Sequence, residues 1–188
     1  IALAGDLLEK YGYNDAGECL SIADTKEVWM FEVVGPGQGK VGAVWAAQRV
    51  PDDEISINGN SARIREINLK DKDRFLASKN VFSTAEEMGL WDPKSGVPFE
   101  FCYVYGDRNS MWARRREWRV FDLLAPSLKL DPNQENYPFS IKPEKKVSVE
   151  EVMKIFADTY EDTDYDMTKF MLVKGPDGKY VKSPYANP

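Results

Sequence analysis

Three clusters in this 188-residue sequence carry side chains that could do chemistry. The first is SINGNSARI, residues 56–64, where Asn58 and Asn60 flank Gly59. Asn-Gly between alternating apolar runs is a strong hairpin signal. An asparagine at a strand end can also aim its amide at a substrate carbonyl or a developing oxyanion. The second cluster is ARRREWR, with Arg114, Arg115, Arg116 and Arg119 around Glu117. On a helix Arg115 and Arg119 share a face, and so do Arg116 and Arg119. Consecutive arginines cannot all point one way, so at least one is expected in solvent. The others either form surface ion pairs or use their rigid forks on a substrate carboxylate or a buried partner. The third is YEDTDYDMT, residues 160–168, crowded with acids and hydroxyls. It lacks the spacing of an EF-hand calcium loop and reads as a plain acidic loop. VPDDE, residues 50–54, reads as a turn set by Pro51.

What is missing narrows the chemistry further. The chain has no histidine, so Ser-His and Cys-His nucleophile pairs and His-ligated zinc are excluded within it. A hydrolase built on this chain needs a base other than imidazole. A free α-amino group, with an ordinary pKa of about 7.7–8.0, is one. That chemistry requires a nucleophilic side chain at residue 1, and Ile1 has none. The two cysteines, Cys19 and Cys102, lie far apart in apolar surroundings. They read as unpaired thiols, with a disulfide as the alternative; they form neither a scaffold framework nor a zinc signature.

These clusters must be held by a fold whose elements are legible in outline. IALAGDLLEKYGY places Leu3, Leu7 and Leu8 at helical spacing and stops at Gly12. CLSIADTKEVWMFEVV reads as two strands around Asp24-Thr25-Lys26. VGAVWAAQRV is apolar on both parities, as in a strand buried on both faces. EISINGNSARIREI reads as strand, turn, strand, and FEFCYVYG as a short aromatic strand. A helix follows Ser83 or Thr84, either of which can cap it. MWARRREWRVFDLLAPS is a helix ended by Pro126. SVEEVMKIFADTYED is a helix opened by a Ser148–Glu151 capping box, with Val152, Ile155 and Phe156 as its stripe. Residues 161–188 show little periodicity. Strands in the first half and helices in the second indicate α+β, with helices on a largely antiparallel sheet. Strand density falls towards the end, as though the sheet continued beyond the residues supplied.

The net charge of −6 argues against a general nucleic-acid binder. No run of about 18 apolar residues is present to span a membrane. The expected setting is a soluble one, cytoplasmic or periplasmic, with the oligomeric state left open.

Four segments, in order, resemble a family of bacterial dipeptidases: YGYNDAGECLSIADTKEVWMFEV, WAAQRVPDDEISINGNSARI, ARRREWRVFDLLAPS and YEDTDYDMT. The resemblance covers nearly all of the chain. Its most specific part is GE-x-x-SIAD-x-x-EVW combined with RVPDD. These enzymes are cysteine peptidases of the N-terminal-nucleophile hydrolase superfamily, distant relatives of secernins, bile-salt hydrolases and penicillin acylases. The resemblance implies a layered fold, two antiparallel sheets between helical layers, incomplete in this piece. It implies a nucleophilic N-terminal cysteine activated by its own α-amino group, which neither Cys19 nor Cys102 matches. The chain is therefore expected to be an internal segment, residues 1–188 forming one domain or part of one, of a longer peptidase that cleaves dipeptides through an acyl-enzyme.

Position by position, the resemblance gives Asn60 a supporting catalytic role beside the nucleophile and leaves Asn58 as the turn residue. It puts Arg116 near the catalytic centre, with Arg115 as the alternative, and Arg119 and Arg115 as substrate-binding. Thr159 and Asp162 stand where the family pattern has histidine and glycine, so Tyr165 and Asp166 receive no role. No metal or organic cofactor is implied, and the partner is a dipeptide. The competing reading is a non-catalytic ligand- or protein-binding module using aromatic strands such as FEFCYVYG, although core packing accounts for most of the aromatic residues.

Overall fold

A computed structural model describes residues 1–107, 110–170 and 172–182. Its centre is an antiparallel sheet in the order β1 (Glu18–Ala23), β2 (Val28–Val34), β3 (Val44–Val50) and β4 (Phe75–Ala77). Chain order and sheet order coincide, although only β1 and β2 are joined by a tight turn and residues 51–74 connect β3 to β4. The Asp24 carboxylate closes the β1–β2 turn by accepting from the amides of Lys26 and Glu27 at 2.7 and 2.9 Å.

The period-two rule sorts β2 and β3 onto two faces. Trp29, Phe31 and Val33 of β2 share a face with Trp45 and Ala47 of β3. This face is covered by α1 (Ala2–Tyr11) through Ile1, Ala4 and Leu8. Phe31 and Trp45 stack with centroids 5.2 Å apart. Val44 and Ala46 face the other way. They pack with Ile64, Phe99, Phe101 and the short helix α2 (Val81–Glu87). Both faces of β3 are thus buried, as the sequence indicated.

The helix α1 reaches the sheet because residue 5 has no side chain. A Cβ there would lie 2.3 Å from Trp45 Cζ2, and Trp45 is pinned by its indole N–H donating to Glu9 Oε1 at 2.9 Å. Gly5→Ala gains about 0.8–1.0 kcal/mol of helix propensity. It also overpacks a rigid indole, at about 1–3 kcal/mol. The expected result is a net loss of about 1 kcal/mol or more, read as a lower urea midpoint with an unchanged m-value.

The second half is helical: α3 (Phe101–Val104), α4 (Met111–Leu124), a 3-10 turn at Pro126–Leu128, α5 (Val149–Phe156) and α6 (Met167–Phe170). A small hairpin, β5 (Leu172–Lys174) with β6 (Tyr180–Lys182), follows in a region that shows no periodicity in the sequence. A third core forms around Trp118 and Phe121 of α4 with Tyr137, Ile141 and Tyr160. Ser148 and Glu151 make the expected capping box on α5. Neither Cys19 nor Cys102 is in a disulfide, and Cys102 is buried.

Three local expectations are corrected. Residues 55–67 form no strand-turn-strand; only Ile55 bridges, to Ile141. Their backbone is satisfied instead by remote side chains. Glu32, buried on β2, accepts from the amides of Arg63 and Ile64 at 2.5 and 3.1 Å. FEFCYVYG is helical at Phe101–Val104, because the amides of Phe101 and Cys102 find the carbonyls of Arg65 and Ile64 at 3.0 and 2.8 Å. Helix α2 begins at Val81, ahead of Ser83 and Thr84. Its N-cap Asn80 makes no side-chain cap, the Asn80 amide donating instead to Ala43 O.

Burial leaves a signature at high pH. It pushes the Tyr137 phenol up to about 12 and raises that of Tyr105. Below about pH 10 both phenols are neutral in folded and unfolded chains. Above it the unfolded chain ionises first, so stability falls as pH rises from about 10 towards 12. Tyr137→Phe should flatten that fall in urea titrations run across this window, while costing about 1 kcal/mol at neutral pH through the lost hydrogen bond to Asp131 O.

Candidate active site

The sequence's arginine cluster folds into α4, started by Ser110, whose hydroxyl accepts from Ala113 N at 3.3 Å. Its four arginines diverge. Arg115 is buried, with Cζ 3.4 Å from the Tyr165 ring centroid and Nη2 donating to Asn133 at 3.0 Å. Arg116 and Arg119, three residues apart, face a common cleft with Val120 and Leu124. Arg114 is half-buried, so none of the four is fully in solvent as expected for at least one.

The cleft has a volume of about 620 Å³, within the range of small-molecule sites, about 300–1,000 Å³. One wall is the segment Ile55–Asn58; the other is α5 with Val147. Asp158, Tyr160 and Met167 contribute from the loop after α5, and Ser21 from β1.

The two guanidiniums in the cleft are differently engaged. Arg119 is held bidentately by Asp158, at 2.7 Å for both bonds, and also donates to Glu161 O at 3.1 Å. The Asp158 carboxylate raises the Arg119 pKa further. Arg116 donates to the Gly59 carbonyl at 3.2 Å, and among the described residues no carboxylate stands within ion-pair distance of it. It is the cation of the cleft whose charge the described residues leave unbalanced.

Gly59 lies against α4 at this point. A Cβ on it would fall 2.9 Å from Ala113 O. The segment carrying it is fastened by Arg63, whose side chain is 2% exposed. Its Nη1 donates to Ile57 O at 2.9 Å and Ser56 Oγ at 3.2 Å, and its Nη2 to Pro138 O. Its Nε stands 3.4 Å from the fully buried Glu117 carboxylate on α4. One buried ion pair therefore joins the Asn-Gly-Asn segment to the arginine helix.

The cleft lining includes Asn58 and not Asn60. Asn58 lines the cleft, its amide donating to Cys19 O and its Oδ1 accepting from Asn60 N at 3.1 Å. It makes the turn and faces the site. Asn60 is exposed, adopts φ 67°, and does not line the cleft. The reason is local: the left-handed backbone at residue 60 swings its side chain outward. Arg115 and Tyr165, stacked on each other, also lie outside the cleft lining, and Tyr165 packs on Trp118 at 5.8 Å. Neither cysteine lines the cleft. Among the described residues no three acidic, cysteine or histidine groups converge as metal ligands.

Tyr160 was not singled out in the sequence. It is 4% exposed, adopts φ 62° and lines the cleft. Burial raises its phenol pKa, and the Arg116 and Arg115 charges pull it back down. Asp162, where the resembled pattern has glycine, adopts φ 62°, the left-handed conformation that glycine takes most readily.

Arg116, Arg119 and the apolar side chains of Ile57, Val120, Leu124, Val152 and Ile155 thus share one cleft. Comparison with known proteins places the chain more closely. The model of peptidase family C69 matches residues 1–176, and the chain belongs to that family. It is 31% identical over 171 residues to a probable dipeptidase of Salmonella dublin, covering 87% of this chain and 37% of that protein. It is 28% identical over 169 residues to a probable dipeptidase of Latilactobacillus sakei, covering 88% and 34%. Dipeptidase A of Lactobacillus helveticus is 24% identical over 165 residues, covering 86% and 33%. The chain spans about a third of the length of these curated relatives. No helix of the described residues is long and apolar enough to cross a membrane.

Proposed function

We propose that this chain is part of a dipeptidase in which Arg116 holds the substrate carboxylate. The observation that carries the reading is the Arg116 guanidinium, set in the cleft without a carboxylate partner, in a chain of peptidase family C69. A free dipeptide supplies the missing anion, and a planar fork suits its two oxygens.

The attack falls to a cysteine thiolate outside this chain, since Cys102 is buried and neither cysteine lines the cleft. Its α-amino group takes the thiol proton, the thiolate adds to the scissile carbonyl, and the amine returns the proton to the leaving nitrogen. Water then hydrolyses the acyl-enzyme. Arg119 serves by locking Asp158 into the cleft wall rather than by binding a carboxylate. Asn58, at the cleft, is better placed than Asn60 to orient a peptide group. The outer edge of β1 is unpaired among the described residues, and further strands of the N-terminal-nucleophile layers would add there.

The test is a dipeptide-hydrolysis assay on the complete gene product and on residues 1–188 alone. Turnover is expected from the first, abolished by thiol alkylation, and none from the second. Turnover by residues 1–188 free of contaminants, or none from the complete product, refutes the proposal.

A further inference from the structure

Tyr160 has a position that core packing does not explain. Its ring is buried, yet the backbone beneath it takes φ 62°, a conformation that costs a bulky side chain of order 1–3 kcal/mol. Three bonds hold it there: Tyr160 N donates to Asp158 Oδ1 at 2.9 Å, and Thr163 N and Oγ1 both donate to Tyr160 O, at 3.2 and 2.7 Å. Asp158 is the same carboxylate that grips Arg119. The strain is thus maintained by groups that also build the cleft. The Tyr160 hydroxyl itself has no hydrogen-bond partner among the described residues. It is not sealed from solvent, so it is open to a ligand in the cleft.

The opposite side of the cleft is apolar. Ile57 faces Val152, Ile155 and Phe156 of α5 across it. Phe156 is 89% exposed and stands at the rim. A ligand that satisfies all of these groups carries an anion at one end and an apolar side chain close to it. The C-terminal residue of a peptide has that arrangement.

We infer that Tyr160 is a further substrate-binding residue: its hydroxyl donates to the carboxylate that Arg116 holds, while Ile57, Val152, Ile155 and Phe156 receive the side chain of the same residue. The preferred substrates are dipeptides with a free carboxylate and an aliphatic or aromatic C-terminal residue. This rests on the dipeptidase reading and deepens it.

Steady-state kinetics of the complete gene product test it with Gly-Leu, Gly-Ala, Gly-Asp and Gly-Leu-amide. Gly-Leu should exceed Gly-Ala and Gly-Asp in kcat/KM by about tenfold or more, since a buried apolar side chain is worth about 1.5–3 kcal/mol. Tyr160→Phe keeps the ring and should raise KM for Gly-Leu about tenfold, the worth of a hydrogen bond to a charged group, with kcat little changed. The same substitution should leave the poor kinetics of Gly-Leu-amide unaltered, a split that general damage to the fold would not produce. Phe156→Ala should narrow the Gly-Leu to Gly-Ala ratio. Equal kcat/KM for Gly-Leu and Gly-Asp, or a Tyr160→Phe loss that is the same for acid and amide, overturns the inference and leaves the dipeptidase reading standing. Failure to cleave any dipeptide sinks both.

Discussion

Glu117→Ala is expected to destabilise the protein by about 3–5 kcal/mol, the cost of stranding a buried charge. The Arg63 side chain is 2% exposed and that of Glu117 is not exposed at all. Removing the carboxylate takes away a buried anion 3.4 Å from the Arg63 guanidinium, where water cannot replace it. Arg63 still has the carbonyls of Ile57 and Pro138 and the Ser56 hydroxyl, so the segment does not lose all its ties. Arg63→Met with Glu117→Leu should recover only part of the loss. An apolar pair removes both charges, but it abandons those acceptors. Urea unfolding of Arg63→Met, Glu117→Leu and the double variant measures this as a coupling energy. Simple additivity would show that the pair does not join the segment to α4.

Arg116→Ala has the largest expected effect on activity: a fall of about 10²–10³-fold in kcat/KM for dipeptides, with stability changed by less than about 1 kcal/mol. The magnitude follows from a desolvated carboxylate losing its one unbalanced cation. The small stability change follows from the single hydrogen bond that Arg116 makes, to Gly59 O. Arg116→Lys should recover only a fraction, because a point charge cannot take two oxygens in plane. Arg119→Ala should behave in the opposite way. It breaks the bidentate pair with Asp158 and with it the support for Tyr160, so stability and activity fall together.

Much of the framework was legible because its causes are local. The extent of α1 was legible from leucine spacing and Gly12, although Leu3 and Leu7 are exposed and it packs through Ala4, Gly5 and Leu8; α5 follows from a capping box, and β3 from apolar residues on both parities. The α+β class followed from the order of these elements. The misread elements have causes distant in sequence. Residues 55–67 alternate like a strand, but the amides of Arg63 and Ile64 are taken by Glu32, about 30 residues away, and that of Ile55 by Ile141 O. The lone acid in VWMFEVV was the available signal. FEFCYVYG is helical because two of its amides fit carbonyls at Arg65 and Ile64. Among the site residues, the divergence of Arg115, Arg116 and Arg119 follows from the helical period. Which guanidinium is engaged by Asp158 depends on a loop 39 residues downstream. Asn58 was legible as the turn residue; that it also lines the cleft, while Asn60 sits exposed in a left-handed conformation, depends on the fold. Tyr160 heads one of the clusters legible in the sequence, but its burial and its place in the cleft are tertiary.

The most direct measurement is a crystal structure of the complete gene product with a non-hydrolysable Gly-Leu analogue bound. Its carboxylate should lie about 3 Å from the Arg116 guanidinium, with the leucine side chain against Ile155. A ligand bound elsewhere, with Arg116 paired to a protein carboxylate from another part of the polypeptide, would contradict it.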